Sequence, residues 1–457
     1  MHSGYRGQIE AVLDRLDDAT DELCELNFDA LNTPERLWML ERLERVARRL
    51  PVPGHALING LARQATSIEL GGRLGHALAD RLRITRAEAN RRIHDAADLG
   101  TRQDLTGQPL EPVRAATAAA QRDGAIGADH IRAIRRFCDT LPSFVDQPTA
   151  DRAEAELARH ARDYRPEEIT ALAQVIADCL NPDGRYNDTD RARRRSLTLG
   201  PQGPDGMSKL SGCLDPQLRA ALEAVLAKLA APGMANPEHP DPAVDGTPSQ
   251  EAIDKDTRSS AQRNHDGLLA ALRALLASGR LGQHNGLPVS VIVTTTLGEL
   301  EAGAGQGLTA GGTLLPMSDV VRLASHAHRY LAIFDHGKPL VLHHTKRLAN
   351  KAQRLVLYAA ERGCSHPGCT VGAYYCEVHH TDEYADCRRT HIDELTLACP
   401  GSHHPLVGPG GWQTRKNRHN ITEWLPPPHL DRGQPRTNTF HHPEKLLRTD
   451  RDDDAGP

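Results

Sequence analysis

The chain has 457 residues, 25% of them charged and 39% hydrophobic, which is enough for two or three domains with cores of their own and excludes a disordered or fibrous protein. Its apolar runs are short and interrupted by Arg, Asp and Glu, and residues 1–10 carry charges where a signal peptide needs an apolar core. Neither membrane spans nor secretion is expected, and the expected location is cytoplasmic. A formal net charge of -5, from 55 Lys and Arg against 60 Asp and Glu, excludes a wholly basic nucleic-acid coat and makes any basic surface local.

In chain order, residues 10–180 read as amphipathic helices packing into a bundle. Apolar residues recur at three and four, as in Leu40, Leu43, Ala47, Leu50 and again in Ile131, Ile134, Cys138, Leu141. Turn chemistry ends helices at residues 51–54 (PVPG), 105–112 (LTGQPLEP) and 181–184 (NPDG). The pattern then changes. Residues 196–200 and 207–214 alternate around a Gly/Pro turn and predict a hairpin, and Asp215 before Pro216 predicts a helix N-cap. The basic run Arg191, Arg193, Arg194 and Arg195 reads as a solvated strand entrance.

Residues 232–260 are rich in Pro, Asp, Ser and Gly and predict a linker or mobile loop. Beyond it, residues 266–276 predict a helix, residues 288–296 (PVSVIVTTT) a strand, and residues 328–335 and 339–344 a hairpin around His336 and Gly337. The Gly-rich residues 303–312 lack the GxxxxGK[ST] and GxGxxG patterns and read as a flexible loop. The expected fold is mainly α with small β elements, an α+β protein.

Chemistry concentrates in residues 364–404, which hold five Cys and six His. Cys364 and Cys369 flank a Pro-Gly turn that can aim two thiolates at one ion, and Cys399 with His403 offers a second pair about 30 residues on. The spacing reads as a Cys3His zinc site in a reducing compartment, able to fix a module with little core of its own. Cys376 and Cys387 are left over, and either can take the place of His403. His379 and His380 are neighbours on a predicted strand over residues 374–380, so one can ligate a second ion while the other meets a water. His404 directly follows His403, and three convergent imidazoles beside a zinc knuckle suggest hydrolysis.

The order CxxxxC, CEVHH, ELTLAC, His403-His404 and Gly411-Trp412 resembles the HNH endonuclease motif in its zinc-binding ββα-metal form. The preceding region, residues 32–345, is similar to domain of unknown function 222 as found in the 13E12 repeat family. The phrases LTGQPLEP, AEAELARHA, LNPDG and AQRLVLYAAERGCSHPGC carry that resemblance. It implies an N-terminal helix over residues 1–31, a helical domain over 32–345, an HNH module over 350–425 joined by a helix over residues 350–362, and a Pro-rich and acidic tail over 426–457.

Carried over by position, the resemblance implies His380 as the general base that activates water, with Glu394 at the central Asn position. It implies His379 and His404 as ligands of a catalytic divalent ion, Mg2+ or another, beside a structural zinc on Cys364, Cys369, Cys399 and His403. The expected partner is DNA, with no membrane and no small-molecule cofactor. Basic shoulders flank an acidic centre, and Lys351, Arg354, Arg415, Lys416 and Arg418 are the expected phosphate contacts. Trp412 and Trp424 are expected in the module core, and His441 and His442 in a surface docking segment.

Glu394 accepts hydrogen bonds but cannot donate as an amide does, and Pro405 leaves barely one helical turn after His404. These departures define two rivals to a nuclease: a DNA-binding zinc module with a decayed centre, and a structural zinc module for protein assembly.

Overall fold

The computed structural model describes residues 2–104, 106–239, 242–324, 334–335, 338–339, 343–344, 349–381 and 390–446. Helices dominate, accompanied by small antiparallel sheets, seven two-stranded and one three-stranded among the described residues. The chain divides into two units, Met1–Arg63 with Asn90–Asn187, and Gln64–Ala89 with Asp188–Pro457.

The first unit is helical. Its core gathers Ile131, Ile134, Phe137 and Leu141 with Leu157 and Ile169 from two further helices, Gln147–His160 and Pro166–Leu180. The second apolar stripe read from the sequence is therefore a core face, and burying each such side chain stabilises by about 1.5–3 kcal/mol. The first stripe is not. Helix α1 (His2–Glu25) and helix α2 (Thr33–Arg49) bury none of their described side chains, so Leu40, Leu43, Ala47 and Leu50 stay outside the bundle in which the periodicity placed them. Residues 51–54 also differ from expectation: Pro51 opens the helix Pro51–Gln64, where its missing N–H costs nothing and its fixed φ suits a first turn.

In the second unit the hairpin Ser196–Gln202 with Ser208–Cys213 forms as the alternation predicts. Asp215 caps the helix Pro216–Leu229 by accepting from Leu218 N at 2.8 Å. The four arginines expected at a strand entrance fall mostly in a short helix, Asp188–Arg194, where Arg193 pairs with Asp190 at 2.6 Å.

The two ends of the expected linker are held, and residues 240 and 241 lie outside the described residues. Asp256 and Arg258 form a buried pair at 2.9 Å, Arg258 reaches Asp266 at 2.7 Å and Met234 O at 2.8 Å, and Asp256 accepts from Gly233 N at 2.8 Å. Met234 and Ala235 are buried beneath this network. Composition misses such a segment because ion pairs and backbone acceptors order it, not apolar area.

The strand expected over 288–296 breaks into Leu287–Pro288 and Val293–Thr294. The Gly-rich segment expected as a flexible loop supplies the strand Gln306–Thr309, the middle strand of the three-stranded sheet. Of the hairpin around His336 and Gly337, Phe334–Asp335 pairs with Lys338–Pro339; His343–His344, expected in the same hairpin, pairs instead with Thr390–His391, and residues 328–333, 336–337 and 340–342 lie outside the described residues.

The C-terminal part is anchored by the helix Lys351–Glu361, capped by Asn350 and Gln353 in a reciprocal box. Gln353, Val356, Leu357 and Tyr358 bury one face, and Gln353 Nε2 donates to Thr390 O at 2.7 Å. Cys364 follows three residues beyond the helix end.

Candidate metal centre

The turn CSHPGC folds back on itself: Cys369 N donates to His366 O at 3.0 Å, Cys364 N to Val371 O at 2.9 Å, and Gly368 takes φ +72°, which a side chain would oppose. Opposite the turn, the strand Leu395–Ala398 pairs antiparallel with Glu377–His380 and delivers Cys399 at its end. His403 N returns to Cys399 O at 3.1 Å, closing a tight turn that brings an imidazole back to the sulfurs.

Cys364, Cys369, Cys399 and His403 are all buried, and one donor atom from each lies within 4.8 Å of the others. His403 Nδ1 is 3.4 Å from Cys364 Sγ and 3.2 Å from Cys399 Sγ. Three sulfurs and one imidazole nitrogen are the donor set that zinc prefers in a closed structural site, and the cluster can bind a metal such as zinc. Cys376 stands outside the four, with its thiol 3.4 Å from Gly372 O. Cys387 lies outside the described residues.

The protonation pattern of the cluster suits a cation. Hydrogen bonds from Cys364 and Cys369, with His403 adding, hold the Cys399 thiol far below its usual range. Hydrogen bonds with Cys364 and Cys399, and burial, raise Cys369. For Cys364, bonding to Cys369 acts against the rise that Cys376, Cys399 and burial produce. Burial disfavours the charged form of His403, but hydrogen bonds to Cys369 and Cys399 outweigh it and raise the imidazole to about 9. A thiolate surrounded by proton donors is a position a divalent cation can take over.

Around the cluster lies a shell the sequence did not announce. His366 stacks on His403 with ring centroids 3.8 Å apart, and Trp424 meets His366 edge-on at 5.0 Å. Burial and the neighbouring His403 push His366 down to about 3, so it packs as a neutral ring. His76, from a distant part of the sequence, approaches His403 at 6.4 Å. Trp412 and Trp424 are core residues, as expected. Trp424 Nε1 donates to Ser365 Oγ at 3.0 Å, and Ser365 Oγ donates to Leu397 O at 3.0 Å. Beneath them Glu361 accepts from Leu397 N at 2.6 Å, Thr396 at 2.9 Å and Lys416 Nζ at 3.0 Å.

The segment carrying His441 and His442 straps the turn. Asn438 Nδ2 donates to Cys364 O at 2.7 Å and to Cys369 O at 2.9 Å, and Arg362 Nη1 reaches His441 O at 3.3 Å. Its docking is to the chain's own CSHPGC turn.

The second set of imidazoles is arranged differently. His379 and His404 ring centroids are 5.3 Å apart. His379 Nε2 is 3.2 Å from Thr414 Oγ1, and burial, then His404 and His380, push it down to about 4. His404 Nδ1 is 3.0 Å from Glu377 Oε2. His380, the next residue along the strand from His379, has Nε2 3.1 Å from Thr390 Oγ1. Glu394 supplies its carbonyl to Thr381 N at 2.8 Å. The four-residue cluster is the single group of three or more His, Cys, Asp or Glu donors drawn together this closely among the described residues, so His379 and His404 are neighbours without forming such a group. Past His404 the chain makes one 3-10 turn, His404–Leu406, in place of an α-helix, as Pro405 predicts.

The expected phosphate contacts divide. Lys416 is committed to Glu361 and largely buried, which removes it as a surface cation. Arg415 pairs with Glu423 at 2.8 Å, while Lys351 and Arg418 are exposed and Arg354 half-buried. No helix among the described residues is long and apolar enough to cross a membrane.

Fold and site together define a mainly helical α+β protein with a Cys3His cluster near its C-terminus. The chain belongs to the family of the domain of unknown function DUF222, whose pattern matches residues 37–360. It is 61% identical over 448 residues to the uncharacterized protein Rv1128c of Mycobacterium tuberculosis, covering 98% of this chain and 99% of that one. It is 56% identical over 454 residues to the uncharacterized protein Mb1179c of Mycobacterium bovis, covering 99% of each. No solved structure matches the chain.

Proposed function

We propose that the chain is a metal-dependent endonuclease of the HNH type that hydrolyses phosphodiester bonds in DNA. The observation that carries this reading is the placement of His379, His380 and His404 on one scaffold. A hairpin supplies the first two, and the turn that closes the Cys3His cluster supplies the third, with 5.3 Å between the rings of His379 and His404.

His380 accepts the proton of the attacking water, a task suited to an imidazole whose unperturbed pKa is about 6.5. Its Nε2 contact with Thr390 restrains the ring. His379, kept neutral by burial, and His404, oriented by Glu377, are the residues that would hold a divalent ion. Such an ion, when bound, stabilises charge on the scissile phosphate and the leaving oxygen. Zinc on Cys364, Cys369, Cys399 and His403 fixes the turn from which His404 projects. Exposed Lys351 and Arg418 supply phosphate contacts.

A second reading, a DNA-binding zinc module that does not cleave, is favoured by two observations. His379 Nε2 is already engaged by Thr414, and a single 3-10 turn supports His404.

The deciding experiment is nicking of supercoiled plasmid by the purified protein with Mg2+, Mn2+ or EDTA, beside His380→Ala and the exposed control His265→Ala, with salt-dependent DNA binding measured in parallel. Metal-dependent nicking lost in His380→Ala and kept in His265→Ala is expected. Binding without nicking across metals, in zinc-loaded protein, moves the assignment to the second reading, and no DNA affinity at all leaves a zinc module for protein assembly.

A further inference from the structure

The donors of the metal centre come from two turns, and a third segment lies across the first of them. Residues 436–442 follow the strand Thr422–Leu425 and cross the CSHPGC turn. Trp424 N donates to Arg436 O at 2.8 Å at the start of the segment, and Arg362 Nη1 donates to His441 O at 3.3 Å near its end. The approach is close. Gly363, beside the first cysteine, has no room for a side chain, because the His441 ring fills the place a Cβ would take.

Asn438 makes the contact to the cysteines. Its Nδ2 donates to Cys364 O at 2.7 Å and to Cys369 O at 2.9 Å, so one amide group spans both ends of the turn and uses both of its hydrogens. Its Oδ1 accepts from Phe440 N at 3.0 Å. These three partners fix which way round the amide sits, since the reverse would set an oxygen against two carbonyls and an NH2 against an N–H. The two carbonyls must stay within reach of a single nitrogen, and that restrains the two backbones from which Cys364 and Cys369 project their sulfurs.

Contacts of this kind, which hold a ligand residue without touching the ion, are worth about 10–100-fold in metal affinity. The coupling is mutual. A segment that raises metal affinity by some factor is itself held more firmly by the bound metal by the same factor.

We propose that Asn438 is a positioning residue of the zinc centre, and that residues 436–442 and the bound zinc hold each other in place. The proposal rests on zinc occupying Cys364, Cys369, Cys399 and His403, and not on the nuclease reading.

The test compares the full-length wild type with Asn438→Asp, Asn438→Ala and Asn417→Ala. Asn438→Asp keeps the shape of the side chain and its acceptor for Phe440 N, but turns a carboxylate oxygen towards two carbonyls. Asn417→Ala is the control for general loosening. Asn417 Oδ1 accepts from His419 N and Ile421 N, each at 3.0 Å, in a turn between the strands Gln413–Lys416 and Thr422–Leu425, so its loss disturbs the neighbouring hairpin and leaves the Asn438 contacts in place.

Zinc affinity is read by competition with a chromophoric chelator, the ligand set by the absorption of Co2+ in place of zinc, and the docking of the segment by tryptic cleavage after Arg432 and Arg436 at saturating zinc. Both Asn438 variants are expected to raise the zinc dissociation constant about 10–100-fold, Asp more than Ala, with the sulfur and nitrogen ligands of Co2+ retained and the cleavage faster. Asn417→Ala is expected to keep the wild-type affinity. Unchanged affinity in Asn438→Asp, an equal loss in Asn417→Ala, unchanged cleavage in Asn438→Asp, or a sulfur ligand missing from the Co2+ spectrum would each overturn the proposal. A wild type that binds no zinc overturns it together with the metal centre, a result distinct from zinc held equally well by every variant.

Discussion

His404 Nδ1 sits 3.0 Å from Glu377 Oε2, while the residue before it, His403, turns its own Nδ1 to Cys399 Sγ at 3.2 Å. Adjacent residues on one tight turn thus face different partners, and the carboxylate fixes which ring nitrogen of His404 remains outward. Removing it frees the ring. On the nuclease reading, Glu377→Ala lowers nicking about 10–100-fold while zinc content stays at the wild-type level, which plasmid nicking and metal analysis on the same sample will show.

Cys364→Ala takes one of four donors from the buried cluster. The expected result is loss of bound zinc and unfolding around the turn and the Glu377–His380 hairpin, with the helical core about Ile134 and Leu157 still folded. Limited proteolysis should then cut within the C-terminal part and spare residues 115–180. Unchanged zinc stoichiometry in this variant would remove Cys364 from the ligand set.

Glu361 joins a helix end to two strands through Leu397 N, Thr396 and Lys416, and both members of its ion pair are about 15% exposed. Glu361→Ala leaves Lys416 without its partner in a largely enclosed place, a loss of about 3 kcal/mol. Chemical denaturation followed by Trp412 and Trp424 fluorescence reads it. Replacing Lys416 as well should recover part of the loss, since no charge is then left behind.

Asp256 gives the pH dependence of the second unit. Its hydrogen bond to Arg258 holds the carboxyl well below the usual range, aided by the Gly233 N–H and opposed by burial. The unfolded chain takes up a proton near pH 3.9, where the folded chain still refuses it. The contribution is therefore complete above about pH 5 and is lost as the pH falls from there through the lower folded value. The difference in unfolding midpoint between wild type and Asp256→Asn should be largest near pH 7 and shrink by about pH 3. A difference that stays constant over that range counts against the pairing.

Local order in the sequence determined a good part of this protein. The capped end of the helix at Asp215, the hairpin at residues 196–213 and the buried stripe of Ile131 and Ile134 all follow from spacing and turn chemistry. So does the convergence of Cys364, Cys369, Cys399 and His403, because these donors come from two short turns whose spacing is written in the chain.

Only the tertiary structure decided the rest. Glu377, Glu361 and Asn438 matter through contacts with residues 27, 36 and 74 positions away, and no periodicity encodes which polar side chain meets which carbonyl. The same holds for residues 233–235, held by Asp256 and Arg258, and for Lys416, drawn in by Glu361 and so withdrawn from the surface. Periodicity also could not say which way α2 faces. A stripe of Leu40, Leu43, Ala47 and Leu50 specifies an apolar side, but arginine contacts on the opposite side mount the helix, because amphipathicity marks an apolar side and not the direction in which it faces.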